Sequence, residues 1–220
     1  MTNSQTAQHL LTKFVENFPL QSFEAKSSLI LAGKTPEVFY YLVSGCVKLS
    51  QTSVNGRVSN LHLFYPNSCI SLLTLLPEKD QVFDYVTVTP VQVHKIPRTL
   101  LLTFLENQPE VSLFFLQKSM AGMKGLLERV SSAQSLDAYQ QVANLVFYYA
   151  KHGSTKKDGH PDLSLMPSHQ EIADWLGMSR EHVSIQMKKL ENAGILQKST
   201  HGYDLKNPEL LYQLTDHEQF

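Results

Sequence analysis

The chain has only two cysteines, Cys46 and Cys69, in 220 residues, and neither lies in a CxxC pair. That count is too small for a disulfide framework or a four-cysteine iron–sulfur cluster, and two buried apolar thiols are expected instead. Long hydrophobic runs are missing as well: nothing approaches the roughly 18 uninterrupted apolar residues of a membrane-spanning helix. The opening MTNSQTAQHLLTKF lacks a basic stretch followed by a long apolar one, so it does not read as a secretory leader. Excess charge of either sign is absent, the formal net charge being −1, and no global field draws the chain to nucleic acid or to an anionic bilayer. A soluble cytoplasmic protein with no membrane partner is expected. No GxSxG, P-loop, HExxH or paired-carboxylate pattern occurs; no enzymatic activity, catalytic residue, metal site or cofactor is therefore expected.

Apolar residues make up 42 % of the chain, enough to fill one large core or two modest ones. From about residue 23 to 97 they come in short runs rich in Val, Leu, Phe and Tyr, broken by Gly, Pro, Asn and Ser. In VFYYLVSGCVKLS (38–50), Val47 and Leu49 alternate with Lys48 and Ser50, and Asn55-Gly56 follows as a hairpin-type turn. Another alternating run, Tyr85 to Thr89, is stopped by Pro90 and resumes at Val91 to Val93. Many short strands separated by turn signals predict a barrel or jelly roll.

After Pro97 the period changes. Asn107 is read as an N-cap with Pro109 in the first turn, and Leu113, Leu116, Met120, Met123, Leu127 and Val130 then recur at steps of three and four. One apolar seam of this length needs a partner helix, and with no second heptad segment in the chain the simplest partner is a second copy. Packing of the helix on its own β domain is the alternative. Gly122 and Gly125 weaken the helix by about 1 kcal/mol each if exposed, although they also allow two helices to approach closely. A further helix is expected over Leu136 to Lys151, followed by the polar loop HGSTKKDGHPD (152–162).

The densest signals lie in SHQEIADWLGMSREHVSIQMKKLENAGIL, residues 168–196. Ser168 with Glu171 three residues later forms a capping box, and the inward face that follows is Ile172, Ala173 and Leu176. Gly177 ends that helix, Ser179 caps a second one, and Val183, Met187 and Leu190 bury its back. Two short helices joined through a glycine, with a small residue where they cross, satisfy the demands of a helix-turn-helix. The second helix then offers Arg180, Glu181, Ser184 and Ile185 to the major groove. Arginine binds guanine O6 and N7 together and glutamate accepts from cytosine N4, each contact discriminating by about 1–3 kcal/mol. Lys188 and Lys189, further along, suit phosphates, and Ile195 to Lys198 with Tyr203 to Lys206, joined through Thr200-His201-Gly202, read as a wing. Against this, residues 137–220 carry eight Lys and Arg and eleven Asp and Glu, a balance of −3; DNA binding therefore requires basic groups gathered on one face.

On these residues the chain resembles the cyclic-AMP receptor protein/FNR (CRP/FNR) family over nearly its whole length. Gln170-Glu171-Ile172-Ala173, Leu176-Gly177, Ser179-Arg180-Glu181, Val183 and Leu190-Glu191 fall where the family's helix-turn-helix has its typical residues, with weaker support from Gly45-Cys46-Val47 and Ile96-Pro97. The resemblance implies an α+β fold: a cyclic-nucleotide-binding-type β-roll (1–106), a long dimerisation helix (107–134) and a winged helix-turn-helix domain (135–220). It also implies a homodimer on palindromic double-stranded DNA, with Ser168, Gln170, Ser179, Arg180, Glu181, Ser184, Ile185, Lys188 and Lys189 at the interface, and contact with RNA polymerase.

Two departures qualify it. Ile185 stands where some members carry a second base-reading arginine, so a different half-site is expected. Nucleotide-binding members hold phosphate with an Arg-Ser or Arg-Thr pair and ribose with Gly-Glu, where this chain has Gln81-Val82 and Ile70-Ser71. An anionic phosphate needs a cation, so control by cyclic AMP is not expected. The iron–sulfur mode lacks its cysteines; haem ligation by His62 or His94 is the remaining cofactor option, outweighed by a plain strand histidine. The run Cys69 to Leu76 suits either a pocket for a small uncharged or hydrophobic effector or a roll filled by its own side chains. A ligand-binding signalling module whose winged helix makes protein contacts is the competing function.

Overall fold

A computed structural model of the chain describes residues 3–33, 37–72, 82–152, 161, 163, 166–200 and 202–215. It divides into two compact units, residues 1–120 and 121–220. Among the described residues no helix is long and apolar enough to cross a membrane.

The first unit opens with helix α1 (Asn3–Val15), followed by strands β1 (Leu20–Phe23), β2 (Ser28–Ile30), β3 (Val38–Ser44), β4 (Val47–Thr52), β5 (Val58–Phe64), β6 (Ser68–Ile70), β7 (Asp84–Thr87) and β8 (Val91–Pro97). They form two antiparallel four-stranded sheets, ordered β1-β8-β3-β6 and β2-β7-β4-β5. This is the expected roll. Alternation drives it: Leu42, Val47, Leu49, Ile70, Tyr85, Val91 and Val93 are all buried in one cluster, with Phe23 and Phe64 packed on it. Gly45 turns the chain between β3 and β4 at φ +86°, and a Cβ there would collide with the Pro90 carbonyl, so only glycine fits. Gly56 closes the β4–β5 hairpin in the left-handed conformation, as the Asn-Gly pair predicts.

Two helices of this unit were not foreseen. α1 carries no cap signal, yet Ala7, Leu11 and Val15 are fully buried against Phe39, Tyr41, Cys69 and Ile96. Helix α2 (Arg98–Asn107) adds Leu101 to the same cluster, and Phe104 stacks on Phe14 at 3.9 Å. Asn107 is consequently not an N-cap: it closes α2, donating its side-chain amide to the Thr103 carbonyl at 2.7 Å, while α3 (Pro109–Ser135) starts at the proline. Tertiary burial overrode the local signal.

The second unit contains the C-terminal half of α3, then α4 (Ala138–His152), α5 (His169–Leu176), α6 (Arg180–Asn192), the hairpin β9 (Leu196–Ser199) and β10 (Gly202–Leu205), and α7 (Pro208–Leu214). Asp137 and Gln140 exchange caps at the start of α4. Val142 and Val146 of α4, Ile172 of α5, Met187 and Leu190 of α6, Ile195 and Leu211 are completely buried.

Candidate nucleic-acid interface

Local chemistry places α5 and α6 as the spacing predicts. Ser168 accepts from the Glu171 amide, and the Glu171 carboxylate returns to the Ser168 amide at 3.1 Å, completing the capping box. Gly177 takes the left-handed conformation at φ +69° and stops α5. Ser179 then caps α6 by accepting from the His182 amide at 3.1 Å. Ala173 is buried beside Val183, Met187 and Leu190, so α6 lies with one face sealed against α4 and α5.

The opposite face is free. Arg180, Glu181, Ile185, Lys188 and Lys189 are exposed, Ile185 by 56 %. Ser168, Gln170 and Ser179 are exposed at the two helix starts, with the Gln170 amide resting on Asp174 at 3.0 Å. Lys188 leans on Glu191 at 2.7 Å, a screened surface pair. Ser184 differs from its neighbours: it is half-buried, and its hydroxyl lies 2.8 Å from Nδ1 of His169. Beside α6, β9 and β10 pair antiparallel from Leu196↔Leu205 to Ser199↔Gly202, forming the wing and carrying Lys198.

His169 is the residue that the sequence did not reveal. It is the first residue of α5, and its Nε2 lies 3.0 Å from the Tyr203 hydroxyl of β10 while the two rings stack at 6.2 Å. No spacing rule connects positions 169, 184 and 203; only the fold does. Burial and the charges of Lys198 and Arg180 hold its pKa below the ordinary 6.5, partly opposed by Glu191. The same ring therefore feels a wing lysine and the first arginine of α6, so basic groups from two elements gather here even though the segment is acidic overall.

On α3, Leu113, Leu116, Met120, Met123, Leu127 and Val130 are each 46 to 64 % exposed, and Leu126 joins them at 44 %. A Cβ at Gly122 or Gly125 would meet open space.

The effector-type positions look different. Ile70 and Ser71 are fully buried, and Val82 is half exposed; Gln81 and residues 73–76 of the apolar run lie outside the described residues. His94 binds the Phe18 carbonyl through Nδ1 at 2.8 Å, and the His62 ring packs edge-on against Phe64. Burial pushes both the Cys46 and Cys69 thiols up to about 12, leaving neither as a thiolate near neutrality. Among the described residues no group of three His, Cys, Asp or Glu is placed to hold a metal ion.

A jelly roll, a long helix and a winged helix-turn-helix with an open basic and apolar edge together define a DNA-binding regulator with a sensor-type N-terminal domain. Comparison with known proteins agrees. Residues 20–108 match the cyclic nucleotide-binding domain, and residues 140–214 the Crp-like helix-turn-helix domain. The chain is 25 % identical over 189 residues to the cAMP-activated global transcriptional regulator CRP of Haemophilus influenzae, covering 85 % of this chain and 84 % of that one. It is 22 % identical to the global nitrogen regulator of a Synechocystis species over 88 % of this chain and 87 % of that one. In structure it is similar to the c-di-GMP-responsive regulator CLP of Xanthomonas campestris, with a TM-score of 0.78 at 18 % identity over 90 % of this chain and 99 % of the other. FixK2 of Bradyrhizobium japonicum gives 0.75 at 17 % identity over 90 and 98 %. The chain belongs to the CRP/FNR family of transcription regulators.

Proposed function

We propose that the protein is a homodimer that binds a palindromic double-stranded DNA site with two copies of α6, one per half-site, and that it is not controlled by cyclic AMP. The observation that carries this reading is the outward face of α6, where Arg180, Glu181 and Ile185 stand exposed on a helix whose back is sealed. Arg180 is assigned to guanine, Glu181 to cytosine N4 and Ile185 to a thymine methyl. Lys188, Lys189 and the wing's Lys198 neutralise phosphates, while Ser168, Gln170 and Ser179 flank the groove. The competing reading, a winged helix that serves protein contacts, draws on the acidic balance of residues 137–220.

Dimerisation is supported by the exposed seam from Leu113 to Val130, a stripe of large apolar side chains that a second copy would cover. The effector reading rests on the roll's apolar filling and on Ile70-Ser71 being buried and lacking a carboxylate for a ribose. These features suit a small uncharged or hydrophobic effector, or a roll filled by its own side chains. Contact with RNA polymerase is proposed on family grounds alone.

Selection of bound DNA from a random duplex pool tests the reading. The expected product is an inverted repeat with half-sites about one helical turn apart, bound by two chains and weakened steeply by salt. A pool that yields no preferred sequence at low salt overturns it.

A further inference from the structure

The bridge at His169 assigns more than a packing role. Burial, together with the nearby Glu191 carboxylate, raises the pKa of the Tyr203 phenol, so its hydroxyl stays protonated. That hydroxyl lies 3.0 Å from Nε2 of His169. Nδ1 of the same ring lies 2.8 Å from the Ser184 hydroxyl, so each ring nitrogen has a hydroxyl partner able to donate or accept. The result is one bridge from Ser184 of α6 through His169 of α5 to Tyr203 of the wing. It closes a loop between the recognition helix and the hairpin, two elements otherwise joined by the short segment Ala193 to Ile195.

We propose that His169 is a positioning residue for DNA recognition, its ring locking the wing to α6 so that Arg180 and Lys198 meet a base edge and a phosphate at the same time. This rests on the regulator reading above. Binding two sites with one rigid body avoids the cost of ordering them separately at the moment of contact. Ser184 is thereby assigned to the support of α6 rather than to base reading, because its hydroxyl is engaged with the ring.

The test uses the full chain and the duplex that the wild type selects, with affinity read by fluorescence anisotropy across a salt series. Losing one hydrogen bond of this kind corresponds to about a tenfold change in affinity. His169→Phe, which keeps ring volume but not the nitrogens, and Tyr203→Phe, which removes one oxygen, are each expected to bind about tenfold more weakly. His169→Gln supplies one donor and one acceptor and is expected to stay within about threefold of wild type. Ser184→Ala should weaken binding while selecting the same sequence. If His169→Phe does not fold, Tyr203→Phe decides.

A pH series adds a readout that steric support would not move. The groups facing the ring are Lys198 of β9, Arg180 and Glu191 of α6, and Tyr203 of β10. With a folded pKa below 6.5, His169 binds fewer protons than in the unfolded chain. Its contribution to stability is complete above 6.5 and is lost as pH falls from there toward the folded value. The thermal midpoint of wild type should therefore drop more on acidification than that of His169→Gln. A wild-type chain that selects no DNA ends the regulator reading and this proposal together. Wild-type selection with undiminished binding by Tyr203→Phe and His169→Phe, a changed base preference in Ser184→Ala, or identical pH profiles for wild type and His169→Gln would overturn this proposal alone.

Discussion

In the N-terminal unit the large side chains turn inward, Phe23 pairing with Tyr40 in one sheet and Phe64 with Tyr85 in the other within one apolar cluster; on α6 of the C-terminal unit the chemistry turns outward, with Arg180, Glu181 and Ile185 in solvent. On the proposed reading, the two units also depart from their family in opposite ways. The roll keeps the family's architecture and is proposed to escape control by cyclic AMP because Gln81-Val82 and Ile70-Ser71 stand in place of the expected charged residues, whereas the proposed base readers keep Arg180-Glu181 and differ at Ile185. The difference teaches that a shared scaffold can retain its output surface while its input is rebuilt, because a roll is held by alternation and turns, which do not specify what lies inside.

The largest effect that separates the units should come from the roll's centre. Tyr85 is 1 % exposed and packs against Phe64; Tyr85→Ala is expected to cost about 3–5 kcal/mol, by analogy with other aromatic truncations. Denaturant unfolding of the full chain would show this as an early transition for the first unit, with the second unit's transition unmoved. A single shifted transition would mean that the two units do not unfold independently.

Next in size is the output surface. Arg180→Ala is expected to lose about 1–3 kcal/mol on the selected duplex and to relax preference at one base pair. Lys189→Ala should instead weaken all sequences alike and lower the slope of log affinity against log salt by about one. Side-by-side anisotropy titrations distinguish a base reader from a phosphate contact, and equal behaviour of the two variants would remove the distinction drawn along α6.

A smaller loss, about 1 kcal/mol, is expected from Ser168→Ala, which removes the α5 cap. Thermal melting with and without DNA tests whether that loss stays in stability. These caps also explain what was legible in the sequence. Ser168, Glu171, Gly177 and Ser179 act within four residues of their partners, so the helix-turn-helix could be read directly. The alternating strands β3, β4, β7 and β8 were legible for the same reason. By contrast, α1 and α2 exist because Ala7, Leu11, Val15 and Leu101 seal a sheet formed by residues up to 90 positions away, and Asn107 looked like a helix start only while α2 was unseen. His169 escaped for a similar reason, its partners lying 15 and 34 residues downstream.

The smallest effect concerns α3, the one element that both units share. In its C-terminal half, Arg129 lies over the ring of Trp175 of α5 at 5.4 Å and is largely withdrawn from water, which lowers its pKa. A partly desolvated guanidinium on an indole face contributes about 1 kcal/mol. Arg129→Met keeps the aliphatic stem and removes the guanidinium with its charge and N–H donors, so it should lower the stability of the second unit by at least about that amount. Trp175 is the only tryptophan in the chain, so its emission reports on the surroundings of that ring. A shifted emission spectrum together with the expected loss would identify the ring contact as what holds α3 to the reading domain. An unchanged spectrum would leave apolar packing to do so, and the comparison between inward and outward chemistry would then extend to the helix between them.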